Sequence, residues 1–192
     1  MRCSRRVALA LVSCVGLVAL PAAARECEGV SLPDQVTVDG KKLILNGMGV
    51  REATVFNVNV YVAGLYLLAR SSDGEKIAAA EEPKQMRIEF VRDVSKSDMA
   101  DAIQKGFVRA AGDGYGKLKT RVERLVSALP EFKKGERFTI TYLPGKGLEL
   151  KSSSASTTID GSDFARVMFL IWIGKFPPNP GLKTGLLGGG CG

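Results

Sequence analysis

The chain has 192 residues and no histidine, which excludes His-based nucleophilic triads and metal sites that need an imidazole ligand. Its formal net charge is +7, from 27 basic and 20 acidic residues. Three of the basic residues lie in a predicted signal peptide, so the mature chain has 24 basic and 20 acidic residues, a net charge of +4 that does not indicate nucleic-acid binding.

Residues 1–24 have the pattern of a secretory signal peptide. A basic start is followed by the apolar run VALALVSCVGLVAL and by the small residues Ala22–Ala24. A membrane anchor is less favoured, because a spanning helix needs roughly 20 apolar residues. Lipidation at Cys14 is also less favoured, because a long apolar run continues after it. We predict export to the periplasm, cleavage after Ala24, one mature domain at 25–192 and no stable membrane span.

The first part of the mature chain predicts antiparallel strands. Residues 35–47, QVTVDGKKLILNG, alternate around an Asp39-Gly40 turn, which predicts a hairpin. After a Gly-x-Gly turn at residues 47–49, Arg51 opens a valine-rich segment that predicts two strands or one long bent strand. Period-two alternation places Val58, Val60 and Val62 on one face, and Asn57, Asn59, Tyr61 and Ala63 on the other.

The rest of the chain mixes helices and strands. Residues 86–92 alternate as a strand, and Ser95 and Asp98 have the spacing of a capping box that opens an amphipathic helix. A second amphipathic helix follows from Leu118 and ends at Pro130. The last third predicts a hairpin around residues 144–147, a short strand, an apolar helix from about Ser162 to Gly174 and a short helix capped by Asn179 and Pro180. Together these elements predict an α+β fold, with antiparallel strands covered on one face by helices.

Two cysteines, Cys27 and Cys191, remain near the two ends of the mature chain. In an oxidising compartment an even pair favours a disulfide, and domain termini often lie close together. The alternative, which we rank only slightly lower, is that Cys191 in the GGGCG tail is unpaired. Two distant cysteines exclude a structural zinc site, and we predict neither a metal nor a cofactor.

Three blocks taken together resemble the chalcone isomerase-like proteins, in particular their exported bacterial branch. The blocks are LILNGMGVREATVFNVNVYVAGLYL, MRIEFVRDVS and FARVMFLIWIGKFPPNPGLKTGLLGG, and the resemblance extends from about Val30 to Gly188. It implies a large antiparallel sheet, a layer of helices packed on it and a ligand cleft between them. In plants this fold serves flavonoid-forming isomerases, fatty-acid-binding relatives and non-catalytic helpers.

The resemblance implies two ligand-binding residues. The plant enzymes open a central strand with a Gly-x-Arg motif whose arginine activates or anchors the ligand, and GVR places Arg51 there. Tyr61 stands at the position of a threonine and retains a hydroxyl. The alternatives are structural: Arg51 would form a buried ion pair, and Tyr61 would be a core tyrosine with a satisfied hydroxyl. The candidate partners in that ion pair are Glu52, Glu89 and Asp93.

Most other polar groups of the isomerase site are missing. Met99 and Gly106 stand where the enzymes have a tyrosine and an asparagine, and Ile171 and Trp172 stand where they have a polar pair. We interpret Trp172, together with Phe169, as an ordinary core residue.

These losses favour a non-catalytic periplasmic protein that binds a fatty acid or a similar amphiphile in an apolar cleft anchored by Arg51. We predict no catalytic residue and, as the partner, a small hydrophobic or amphiphilic ligand. One alternative is an isomerase that performs an intramolecular addition to an enone, as chalcone isomerase does. Another is a structural domain with a filled cavity. The sequence does not indicate an oligomeric state.

Overall fold

The computed structural model describes residues 24–53 and 58–191. Apart from Ala24, the predicted signal peptide lies outside the described residues, as does Asn57, which was expected on the polar face of a strand. In the part of the chain that is described, no helix is both long enough and apolar enough to cross a membrane.

Seven strands form one curled antiparallel sheet, and each strand pairs with the next one in sequence. A separate two-stranded hairpin precedes them, made of β1 (Ala24–Cys27) and β2 (Val30–Pro33). The strands of the sheet are β3 (Gln35–Val38), β4 (Lys41–Ala53), β5 (Val58–Leu67), β6 (Lys84–Phe90), β7 (Arg137–Leu143), β8 (Gly147–Lys151) and β9 (Ser156–Ile159).

Five α-helices accompany the sheet in the part of the chain that the structure describes. They are α1 (Gly74–Ala79), α2 (Lys96–Ala111), α3 (Tyr115–Ala128), α4 (Ser162–Ile173) and α5 (Pro180–Leu186). Ser95 caps α2 as its spacing predicts, because its side chain accepts from the amide of Asp98 over 3.1 Å. The sequence did not predict α1, whose six residues are too few to show a helical period.

The α+β prediction is confirmed, but the second face of the sheet is covered as well. Helices and sheet enclose a core that contains Phe107, Phe164 and Trp172. On the opposite face, the β1–β2 hairpin packs Leu32 against strand residues such as Tyr66, whose hydroxyl donates to the Pro33 carbonyl over 2.9 Å. We did not predict this hairpin, because its strands have only four residues each.

The Asp39-Gly40 turn forms as predicted, with both residues at positive φ (49° and 74°). The predicted Gly-x-Gly turn at residues 47–49 is wrong, because β4 continues through it to Ala53. The two glycines instead allow α5 to rest on the backbone of β4. A Cβ atom on Gly47 would lie 2.0 Å from the carbonyl oxygen of Gly185, and one on Gly49 would lie 2.5 Å from that of Leu182.

The structure joins Cys27 to Cys191 in a disulfide, with 5.7 Å between the Cα atoms. Cys27 belongs to β1 and Cys191 to the tail that follows α5. The bridge therefore connects the N-terminal hairpin to the segment that packs on β4.

Candidate functional site

A cavity of about 370 Å³ lies where the ends of β4, β5 and β6 meet α2 and α4. Apolar side chains form part of its walls, among them Phe90, Ile103 and Ile171. Both Arg51 and Tyr61 also line this cavity. The two residues that the sequence singled out are therefore brought together in one place.

A β-bulge at Val60 shapes the strand that forms one wall. Arg51 pairs with Tyr61 and Glu52 pairs with Asn59, so Val60 is an extra residue in β5 with no partner in β4. Val60 and Tyr61 both line the cavity as a result. The predicted alternation, with Val60 and Val62 on one face, is wrong here because a bulge interrupts period two.

One nitrogen of the Arg51 guanidinium, Nη1, is buried without a hydrogen-bond partner among the residues that the structure describes. The carboxylates considered as partners bond elsewhere: Glu89 accepts from Arg137 over 2.8 Å, and Asp93 accepts from the amide of Lys134 over 2.9 Å. Within the described residues, Arg51 forms no ion pair with either of them or with Glu52.

Tyr61 is only 8% exposed and its hydroxyl is hydrogen-bonded, which fits the structural alternative for this residue. The indole Nε1 of Trp172 donates to the Tyr61 hydroxyl oxygen over 2.8 Å. Burial raises the pKa of Tyr61 to about 12, against the opposing effects of the Trp172 hydrogen bond and the Arg51 charge. The hydroxyl therefore stays protonated at physiological pH. Trp172 is buried in the core as expected, and its indole N–H also binds the Tyr61 hydroxyl.

The sequence matches the chalcone isomerase-like family over residues 24–188. The chain belongs to this family. Among solved structures, it resembles the fatty-acid binding protein AtFAP1 of Arabidopsis thaliana with a TM-score of 0.68 and 15% sequence identity. The match covers 83% of this chain and 92% of that chain. At this identity the likeness establishes the fold alone. No curated protein matches the sequence.

The structure also shows where the residues lie that replace the polar groups of the isomerase site. Met99 on α2 and Ile171 on α4 line the cavity and offer no hydrogen bond from their side chains. Gly106 does not line it. A Cβ atom on Gly106 would lie 2.8 Å from Cγ2 of Ile171, so this glycine makes room for α4 to pack on α2.

Charged residues of both signs also line the cavity. They come from the segment after β6 and from α2: Arg92, Asp93, Asp98, Asp101, Lys105 and Arg109. Within this group, Lys105 and Asp101 form an exposed ion pair at 2.6 Å, which contributes little to stability. In the described part of the chain, no group of three or more Cys, Asp or Glu residues is arranged to hold a metal ion.

Contacts on β4 fix the strand that carries Arg51. Asn46 is the extra residue in a second bulge, and its buried amide donates to the carbonyls of Ser71 and Leu186 over 2.9 and 2.8 Å. Farther along, the Asn179 side chain donates to the carbonyl of Val50 over 3.0 Å. Both amides therefore connect β4 to α5 or to its N-cap. The only sequence signal for this role of Asn46 was a polar residue directly after the apolar residues 43–45.

Proposed function

We propose that this protein is a non-catalytic periplasmic protein that binds a fatty acid or a similar amphiphile, whose anionic head group is bound by Arg51. The observation that carries the proposal is that Arg51 lines the cavity and that its buried Nη1 atom has no partner among the described residues. A buried cationic donor without an acceptor is unfavourable. A carboxylate supplies both the negative charge and the acceptor, and its geometry suits a guanidinium.

The cavity suits the rest of an amphiphile. Its volume of about 370 Å³ is within the range of roughly 300–1,000 Å³ for small-molecule sites. Apolar walls formed by residues such as Phe90 and Ile103 favour a hydrocarbon chain over a polar body. The fold shared with a plant fatty-acid binding protein supports the same ligand class.

The periplasmic location rests on the predicted signal peptide, and a disulfide is compatible with export. N-terminal sequencing of the exported protein should begin at Arg25, and the protein should be released by osmotic shock. A lipid-modified N-terminus at Cys14 would contradict this part of the proposal and leave the binding site unaffected.

The isomerase alternative has less support. Enone addition requires a phenolate and an enone to be oriented against each other, and such positioning contributes several kcal/mol. Met99 and Ile171 provide no hydrogen bonds for this purpose. The hydroxyl of Tyr61 is already held by Trp172, and its pKa of about 12 makes it a poor base at neutral pH.

The test is isothermal titration of delipidated protein with dodecanoic acid and with methyl dodecanoate. A hydrogen bond to a charged group contributes about 1.5–3 kcal/mol, so Arg51→Ala should weaken binding of the acid at least tenfold and leave binding of the ester nearly unchanged. Arg51→Lys should restore the affinity for the acid only in part, because an ammonium group lacks the planar fork of a guanidinium. Arg109→Ala is the matched control, since it removes another cavity-lining cation.

Equal losses for acid and ester in Arg51→Ala, together with a large fall in melting temperature, would contradict the proposal. That pattern is expected if the guanidinium only stabilises the sheet. Native mass spectrometry of protein purified from its own host provides an independent check, because a bound amphiphile appears as a discrete added mass.

A further inference from the structure

The hydrogen bond between Trp172 and Tyr61 fixes what the tyrosine hydroxyl can do. An indole N–H is a donor and never an acceptor, so at 2.8 Å the oxygen of Tyr61 must be accepting from Trp172. If the O–H of Tyr61 turned toward the indole, two donors would face each other and the buried indole N–H would lose its acceptor. The proton of the hydroxyl must therefore point away from Trp172.

Both side chains are held in place by their surroundings. Trp172 is 2% exposed and lies in the most buried part of α4. The ring of Tyr61 packs edge-on against Phe90, with 5.8 Å between ring centroids and 74° between ring planes. Because neither ring can easily change its rotamer in a closely packed core, the direction of the hydroxyl is set before any ligand arrives.

The proton of the Tyr61 hydroxyl has no acceptor in the described part of the chain, residues 24–53 and 58–191. The group opposite Tyr61 across the strands is Arg51, which is also a pure donor. The head-group end of the cavity thus presents a guanidinium and a directed hydroxyl proton.

We propose that Trp172 is a positioning residue that keeps the Tyr61 hydroxyl as a donor toward the cavity, so that the Arg51–Tyr61 part of the site favours head groups with only hydrogen-bond acceptors over those that also bring N–H donors. This inference rests on the proposed function, because it assigns the selectivity of the same site. A carboxylate accepts from both groups, and an ester carbonyl accepts from the Tyr61 hydroxyl. A primary amide also accepts, but its N–H donors find no acceptor at Tyr61 or Arg51.

The experiment compares two uncharged ligands with the same chain, so that the charge of Arg51 does not dominate. Wild-type protein should bind methyl dodecanoate more tightly than dodecanamide. In Trp172→Phe the oxygen of Tyr61 is released and can accept from the amide, so the ester-to-amide affinity ratio should fall by roughly two- to tenfold, the contribution of one neutral hydrogen bond.

A double-mutant cycle separates positioning from packing. Trp172→Phe should lower the ratio in the wild-type background and leave it unchanged in the Tyr61→Phe background, because no hydroxyl remains there to be directed. Phe169→Leu is the packing control. It alters a buried ring of α4 that does not line the cavity, and it should not change the ratio.

The protein has a single tryptophan, so its one indole N–H resonance reports the hydrogen bond even if Trp172→Phe folds poorly. In ¹⁵N-labelled, ligand-free protein, Tyr61→Phe should move this resonance upfield, as expected for an indole N–H that has lost an oxygen acceptor. An unmoved resonance, or an ester-to-amide ratio that Trp172→Phe leaves unchanged, overturns the inference. Arg51-dependent binding of dodecanoic acid would still leave the proposed function standing. A wild-type protein that binds none of these amphiphiles overturns both.

Discussion

Arg51 and Tyr61 are direct cross-strand partners, at the last paired position before the β5 bulge at Val60. The pairing places a permanently charged donor and a neutral donor side by side, and both reach the same cavity. In the described residues the buried Nη1 of Arg51 has no partner, whereas the oxygen of Tyr61 is held by Trp172. The sheet therefore provides a charged donor and a neutral donor to the same cavity.

Binding of dodecanoic acid should be insensitive to pH between about 6 and 10. Tyr61 keeps its proton because its pKa is about 12, and arginine remains charged throughout this range. Below about pH 5 the carboxyl group of the ligand becomes protonated, and affinity should fall. Isothermal titration at several pH values measures this. A fall in affinity between pH 7 and 9 would instead implicate a group other than Tyr61 in the binding step.

The raised pKa of Tyr61 also predicts a loss of stability at high pH. The folded protein keeps the Tyr61 proton up to about pH 12, whereas the unfolded chain releases it near pH 10. The contribution of Tyr61 to the free energy of unfolding is therefore complete below pH 10 and is lost as the pH rises toward 12. Comparing wild type with Tyr61→Phe by urea unfolding at pH 8 and pH 11 isolates this residue, because Phe does not titrate. Wild type should lose more stability than the variant between the two pH values. Equal losses would mean that the pKa of Tyr61 is the same in the folded and unfolded states.

The sequence was sufficient to predict the fold where periodicity was long and regular. Helices α2 and α3 and the Asp39-Gly40 hairpin follow from amphipathic spacing, a capping box and a turn dipeptide. The same reasoning failed at the bulge of Val60, because one inserted residue reverses the alternation of everything before it. It also failed for the four-residue strands β1 and β2, which are too short to show a period.

For the site, the resemblance to the chalcone isomerase-like proteins implied Arg51 and Tyr61 but not their neighbours. The indole–hydroxyl contact joins residues 111 positions apart in sequence, and no local pattern reports such a pair. The role of Gly47 was misread for a similar reason. A glycine required by a turn and a glycine required by a helix packed on a strand look alike in sequence.

The contact between α5 and β4 should be intolerant of a single methyl group. A Cβ atom on Gly185 would lie 2.1 Å from the carbonyl oxygen of Met48, so Gly185→Ala forces the backbones apart and should cost about 1–3 kcal/mol. Because β4 carries Arg51, binding of dodecanoic acid should weaken as well. Gly116→Ala in α3 is the control, since nothing lies within 4 Å of its added Cβ. In a helix this change should stabilise by about 0.5–1 kcal/mol. Urea unfolding of the two variants gives both values, and similar stability for them would show that α5 moves freely on the sheet.

Removal of the disulfide should lower stability without changing ligand affinity. The bridge closes a sequence separation of 164 residues, and the chain-entropy treatment assigns such a loop about 5 kcal/mol at most. The cysteines do not line the cavity. Cys27→Ala/Cys191→Ala protein should therefore unfold at lower urea concentration and still bind dodecanoic acid as wild type does, provided that it is folded under the conditions of the titration. Unreduced wild-type protein that shows two free thiols after denaturation would contradict the bridge itself.

Chalcone should not be isomerised above the rate in buffer. The reaction depends on holding a phenolate against an enone, and effective positioning can supply several kcal/mol of the barrier. Met99 and Ile171 present only apolar surface to the cavity. An asparagine at position 106 would not restore a polar contact simply, because a Cβ atom there already lies 2.8 Å from Ile171. Loss of chalcone absorbance with time, compared among buffer, wild type and Arg51→Ala, measures the rate. Turnover well above buffer in wild type that disappears in Arg51→Ala would establish an isomerase that uses Arg51 and would overturn the non-catalytic interpretation.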